Sequence, residues 1–172
     1  MAVTPTAHRF RIRPIAAADR DRLRAFYAGL SEDSRESRFH GATTGISDRA
    51  AVAFCEPDHD HREGFVVEAL DGGHPPVIGH LCLEPVNETD VEVAVAVADA
   101  YQGRGLGHAL LVAAIDWARS HDYRRVVATV RPTNGPMFGL LRSTGLPVDL
   151  RPADADEVEA TLELAVTLPR AA

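Results

Sequence analysis

The sequence is short of several things, and each shortage narrows what the chain can be. It has only two cysteines, Cys55 and Cys82, with no partner ligands at metal spacing. A disulfide scaffold and a zinc module are excluded on that ground, no metal is expected, and a reduced, cytoplasmic chain is the default reading. No apolar run approaches the ~18 residues of a membrane span, and Met1–Pro14 has no signal-peptide core, so no membrane partner is expected. Basic charge is also scarce: 18 Lys+Arg stand against 25 Asp+Glu, a formal net charge of −7. Nucleic-acid binding needs a basic face that displaces phosphate counterions, so no nucleic-acid partner is expected. An acidic chain suits cationic partners such as amines or lysine side chains. Internal repeats and linker-like stretches are absent too, so residues 1–172 read as one domain with 1–7 as a loose tail.

What is present is a strong alternation of patterns. Phe10, Ile12 and Ile15 start a strand closed by Pro14. Leu23, Phe26, Tyr27 and Leu30 fall at helical spacing within 16–30, and Ser31 and Ser47 read as N-caps of helices reaching Phe39 and Cys55. Phe65–Leu70 and Val77–Leu83 flank the turn-rich Asp71–Pro76, which predicts a hairpin, and Val91–Ala98 predicts a third strand of that group. Leu106, Leu110, Ala113 and Trp117 then mark a long helix. Val126–Val130, a helix around Met137–Leu141 ending at Gly145, and strands at Pro147–Leu150 and Val158–Leu168 complete the chain. This order predicts an α/β protein with a mixed twisted sheet of six or seven strands and four or five flanking helices.

The richest chemistry lies where the strand ending in Val95, Ala96 and Val97 meets Gln102-Gly103-Arg104-Gly105-Leu106-Gly107-His108. A helix entered through such a turn offers free N–H groups and the positive end of its dipole, which bind phosphate. Glycines let backbone nitrogens approach a ligand closely, and Arg104 adds positive charge. A P-loop would carry Lys-Ser/Thr after its last glycine, where this chain has His108-Ala109. The dinucleotide fingerprint fails on glycine spacing, and Asp122 sits in a turn rather than at the end of a strand.

Gln102–Gly107 resembles the acyl-CoA pyrophosphate loop, (Arg/Gln)-x-x-Gly-x-(Gly/Ala), of the GNAT acyltransferase superfamily. Asn134–Leu146 resembles that family's second motif, Asn-x-x-(Ala/Met)-x-x-Leu-x-x-x-x-Gly-Phe, with Leu146 in place of Phe. Leu30-Ser31-Glu32-Asp33-Ser34-Arg35-Glu36-Ser37-Arg38-Phe39 is similar to a segment of bacterial Pat-type protein lysine acetyltransferases. Asp60–Glu63 and Val91–Val95 also look like that subgroup. The resemblance covers residues 9–150 and implies a GNAT fold with acetyl-CoA as cosubstrate. It implies cofactor contacts from the backbone of Val95, Ala96 and Val97, from residues 102–108 and from Asn134. The acceptor it implies is a primary amine, preferably a protein lysine; the alternatives are a small-molecule amine or a non-catalytic CoA-binding module.

The reaction asks for a base. An unperturbed lysine amine has a pKa near 10.4, so freeing the neutral nucleophile at pH 7 costs about 4 kcal/mol. Glu92 is the candidate: in an alternating strand it shares a face with Ala94, Ala96 and Ala98, small residues that leave room for a slender arm. The resemblance gives the matching glutamate that role. It also puts Leu141 where many superfamily members have a tyrosine acid. His59, His61 and their acidic neighbours read as a solvated loop, and both cysteines as core residues. Asp154–Glu159 reads as a solvated acidic loop, or as a rim to the amine entrance. Oligomeric state is not legible in these patterns.

Overall fold

Alternation along the strands sorts side chains onto two faces, and the helices divide between them. The computed structural model describes residues 9–70, 73–154 and 156–164. In chain order these form β1 (Phe10–Pro14), α1 (Arg20–Ala28), α2 (Glu32–Phe39), α3 (Asp48–Cys55), β2 (Glu63–Ala69), β3 (Val77–Pro85) and β4 (Asp90–Val97). They continue with α4 (Leu106–Ser120), β5 (Arg125–Val130), α5 (Gly135–Ser143), β6 (Val148–Pro152) and β7 (Val158–Glu163). The seven strands make one mixed sheet in the order β1-β2-β3-β4-β5-β7-β6, an α/β arrangement as expected.

One face packs on α4. Leu106, Leu110, Leu111, Ala114 and Ile115 bury against Val67, Leu81, Leu83, Val91 and Val93, each large side chain contributing roughly 2 kcal/mol. The opposite face carries Val66, His80 and Cys82 beneath Leu23, Phe26 and Tyr27 of α1 and Cys55 of α3. Burial pushes the Cys55 thiol up to about 11, and also raises the Cys82 thiol, so both are inert core groups at neutral pH.

One expectation is corrected. The first helix is not continuous from residue 16: a short 3-10 turn at Ala17–Asp19 precedes α1. Asp19 is pinned there by the Ala16 N–H at 2.9 Å and by Arg13 at 2.7 Å, which fixes a tighter turn than the α-helix allows. The last strand is described over Val158–Glu163; the buried Leu164 still donates its N–H to the Arg124 carbonyl at 2.9 Å, and the expected continuation through 165–168, like the 1–7 tail, lies outside the described residues. Among the described residues no helix is long and apolar enough to cross a membrane.

The feature that positions the site is a fork. Every neighbouring pair of strands is antiparallel except β4 and β5, which run parallel. Their pairing covers only Asp90–Arg125, Val91–Val126 and Glu92–Val127. Beyond Glu92, β4 stays with β3 as far as Val97, while β5 stays with β7 as far as Val130. The sheet therefore opens between its two halves.

Candidate active site

The fork opens into a cleft of about 1230 Å³ lined by Val93–Val97, Gln102, Gly103, Gly105–His108, Asn134, Met137 and Leu140. Glu84, Glu92, Thr129, Arg38, Phe39, His40 and Phe54 line its other end. One cavity thus joins the glycine turn to the candidate base.

Each loop residue has a local reason for its place. Gly103 and Gly105 adopt left-handed φ values of 71° and 79°, where a Cβ costs about 1–2 kcal/mol. Gly107 differs: it is helical, and a Cβ there would meet Leu140 at an ordinary 3.4 Å. Gly105 is the N-cap of α4 and brings no capping side chain, so the first-turn N–H groups of α4 point toward the cleft mouth for an outside acceptor. Asn134 is the N-cap of α5, its Oδ1 accepting from the Met137 N–H at 3.1 Å. His108 Nδ1 shares a 2.8 Å hydrogen bond with Ser143 Oγ.

Two members of the predicted set behave differently from their expected use. Arg104 is turned back along the chain, donating to the Ala100 carbonyl at 3.1 Å and lying 5.3 Å over the Tyr101 ring; it does not line the cleft. The Val97 carbonyl accepts from Gln102 Nε2 at 3.0 Å, so the side chain of the loop's first residue occupies the end of the open strand. Gln102 also donates to Ser34 Oγ at 3.2 Å.

At the other end, Glu92 lies where the register places it, on the face shared with Ala94 and opposite Glu84. Its Oε1 accepts from Thr129 Oγ1 at 2.9 Å across the fork. Arg62 holds Glu84 through two contacts of 2.5 and 2.7 Å. Beneath the cleft, Tyr27 OH and His80 Nδ1 lie 2.7 Å apart, both fully buried. Burial first, and Arg38 second, hold the His80 imidazole down at about 3, so the ring is neutral under ordinary conditions. Arg38 stays cationic: burial opposes its charge, but Tyr27, Cys82 and Glu92 outweigh that opposition.

Several side chains that shape the site were not singled out from sequence. Asp99 binds the start of α2 through Ser31 N–H at 2.9 Å, Ser31 Oγ at 2.7 Å and Ser34 Oγ at 2.7 Å. The capping reading of Ser31 is correct, since its Oγ accepts from the Ser34 N–H at 3.2 Å, but the hydroxyl also ties α2 to the glycine turn. Thr129 gave no signal beyond its place in an alternating strand. Leu141 is fully buried in the core and faces away from the cleft, whereas Leu140 and Met137 line it. The His59 loop is more built than a solvated stretch: Asp58 accepts from the N–H groups of residues 60, 61 and 62, which lower its carboxyl pKa, and His59 contacts the buried Glu63 at 2.9 Å. Glu157, in the acidic segment near the C-terminus, meets His40 at the cleft rim at 2.5 Å. Among the described residues no group of three or more His, Cys, Asp or Glu side chains converges as a metal site.

A parallel strand pair that forks at a carboxylate, beside a glycine-entered helix whose first N–H groups are uncapped, is the arrangement that the resemblance to acyltransferases implies. Comparison with known proteins makes the assignment specific. Residues 20–146 match the profile of the Acetyltransferase (GNAT) family. The chain is 31% identical over 157 residues to Acetyltransferase PA5475 of Pseudomonas aeruginosa, covering 89% of this chain and 83% of that one. It superposes on the GNAT domain of S. lividans PAT with a TM-score of 0.81 and 27% identity, covering 90% of each chain. It shares its fold with yncA of Salmonella typhimurium, solved with its cofactor acetyl-CoA, at a TM-score of 0.75 and 22% identity over 95% of this chain and 99% of that one. The chain belongs to the GNAT acetyltransferase family and has its fold.

Proposed function

We propose that this protein transfers an acetyl group from acetyl-CoA to a primary amine, preferably a lysine side chain of a protein, with Glu92 as general base. The observation that carries the reading is the fork: pairing between β4 and β5 stops at Glu92, and the space beyond it runs to the uncapped start of α4.

The residues present fit the cofactor. An amide-bearing arm needs an extended strand with unpaired backbone groups, and β4 from Val93 onward has lost its neighbour on one side. A diphosphate needs converging N–H donors, and the turn through Gly103, Gly105 and Gly107 leads into such a helix start. In this reading Val95, Ala96 and Val97 hold the arm through their main chain, and Gln102–His108 and Asn134 hold the nucleotide end. For Val97 this requires the Gln102 side chain to release its carbonyl. The bound thioester supplies an activated acetyl group. Glu92 accepts the proton of the incoming ammonium at its carboxylate, and the Thr129 hydroxyl keeps that carboxylate oriented. Holding amine and thioester together lowers the barrier with no covalent enzyme intermediate.

The preference for a protein acceptor rests on the Leu30–Phe39 segment, which supplies one wall of the acceptor end, and on likeness to the PAT domain. A second reading, a small-molecule amine, is supported by two contacts that carry α2 and its C-cap across the cleft: the Glu36–Arg131 ion pair at 2.7 Å and the His40 Nδ1–Glu157 hydrogen bond at 2.5 Å. They narrow the approach to Glu92. Incubation with acetyl-CoA and a cell lysate, followed by mass spectrometry, separates the two. New acetyl-lysines on proteins support the first reading; acetylated metabolites with unmodified proteins refute it. The chain contains no lysine of its own, so every acetyl-lysine found belongs to another protein.

A further inference from the structure

Among the described residues, two charges of opposite sign at the acceptor end of the cleft, Glu92 and Arg38, have no ion-pair partner. Glu84 is taken by Arg62, and Glu157 shares a hydrogen bond with His40 Nδ1. Glu92 has the neutral Thr129 hydroxyl. Arg38 has no carboxylate within ion-pair distance among the described residues: its Nη2 donates to Cys82 Sγ at 3.2 Å, and its Nε is buried without a partner. The guanidinium lies over the rings of Phe39, Phe54 and Tyr27, with centroid distances of 4.9, 5.6 and 6.0 Å. A desolvated cation with a thiol as its acceptor is costly unless an anion reaches it. Cys82 pairs across the sheet with Ala94, two residues from Glu92, a spacing of about 7 Å along the strand.

We propose that Arg38 selects an acceptor carrying a carboxylate close to its primary amine, the ammonium meeting Glu92 and the carboxylate meeting the guanidinium. The proposal rests on the amine-acetyltransferase reading above and names its substrate class. A planar fork of donors suits a carboxylate, and the aromatic rings hold that fork in place. The carboxylate has two sources: the acid group of a free amino acid, or an acidic side chain beside a protein lysine. Arg38 acts here as a specificity-determining residue, not as part of the proton transfer.

The test measures thiol release from acetyl-CoA with free amino acids against their decarboxylated amines, and with lysine peptides flanked by Glu against Gln. The carboxylate-bearing member of the productive series has the higher kcat/KM, by about tenfold to a hundredfold, and the series in which the gap appears identifies the source. Arg38→Gln abolishes the gap and leaves coenzyme A binding by calorimetry unchanged, and Arg38→Lys retains part of it. Equal kcat/KM across the wild-type pairs, or an undiminished gap in Arg38→Gln, overturns the proposal and leaves the acetyltransferase reading intact. Should Arg38→Gln fail to fold, the wild-type comparison decides alone. Coenzyme A binding with no thiol release from any member overturns the proposal and the amine reading together.

Discussion

Two charged clusters on the same face of the sheet are built on opposite principles. At the β1–β2 edge, Glu68 and Asp19 are almost fully buried, and Arg11, Arg13 and Arg22 surround them with contacts that leave each carboxylate several donors. At the fork, Glu92 and Arg38 share a cleft without forming an ion pair; Glu92 accepts from the Thr129 hydroxyl and Arg38 donates to the Cys82 sulfur. The edge cluster spends its charges on one another; the cleft keeps its charges available. The first arrangement fixes structure, and the second is what a site needs when the missing partners arrive with the substrate.

The sharpest test of that contrast is at Glu92. Glu92→Gln keeps the size and the Thr129 contact but cannot take a proton, so kcat is expected to fall by about 10²–10⁴ while coenzyme A affinity stays near wild type. Its residual rate should keep rising from pH 6 to 9, as more amine arrives already deprotonated; a rate unchanged from wild type across that range removes Glu92 from the mechanism. Stability should barely change, as read by urea unfolding.

Glu68→Gln should behave in the reverse way. It removes the carboxylate shared by Arg11, Arg13 and Arg22, of which Arg13 and Arg22 keep Asp19, and is expected to cost about 3 kcal/mol of stability, measured as a lowered urea midpoint. The same cluster has a pH signature. Burial alone would raise the Glu68 carboxyl, but hydrogen bonds from Arg13, Arg11 and Arg22 hold it down at about 2. Because the folded value lies below the unfolded one near 4.3, this stabilisation is full above that pH and disappears as pH falls toward 2.

His80 gives the buried floor of the cleft a different onset. Its folded value of about 3 lies below the unfolded 6.5, so between those values the unfolded chain binds the extra proton. Stability therefore begins to decline as pH falls below 6.5, before the edge cluster responds. His80→Phe should flatten that upper limb of the profile while lowering absolute stability, because Tyr27 OH loses its partner. A profile flat from pH 6.5 to 5 in the wild type contradicts this account. The smallest expected effect is at the loop: Gly105→Ala forces a Cβ into a φ of 79° and should cost about 1–2 kcal/mol of stability, read as a lowered urea midpoint, with weakened coenzyme A binding where the turn relaxes away from that conformation.

Most elements were legible because their signals are local. Alternating valines from Val91 to Val97 gave β4 and both of its faces, and Ser31 and Ser47 gave two helix starts through their own hydroxyl oxygens. The errors came where a distant charge intervened. The 3-10 turn at Ala17–Asp19 exists because Asp19 is drawn into the arginine cluster, which the helical spacing of Leu23, Phe26 and Leu30 does not register. Arg104 sits in a phosphate-binding pattern yet turns toward Tyr101 and Ala100, a choice made by its neighbours in space.

The chain order alone determined which residues carry the chemistry: glycines with freedom of φ at a strand-to-helix turn, a carboxylate in an alternating strand, and small side chains beside it. Periodicity and backbone sterics act over a few residues, and so can be read one segment at a time. Only the tertiary structure decided that β4 parts from β5 immediately after Glu92, that Thr129 holds that carboxylate, that Asp99 binds the head of α2 to the glycine turn, and that Arg38 has no carboxylate within ion-pair distance among the described residues. Each of those depends on strands and helices far apart in sequence meeting at one place, and the pairing of a charge is settled by what surrounds it after folding, not by its neighbours along the chain.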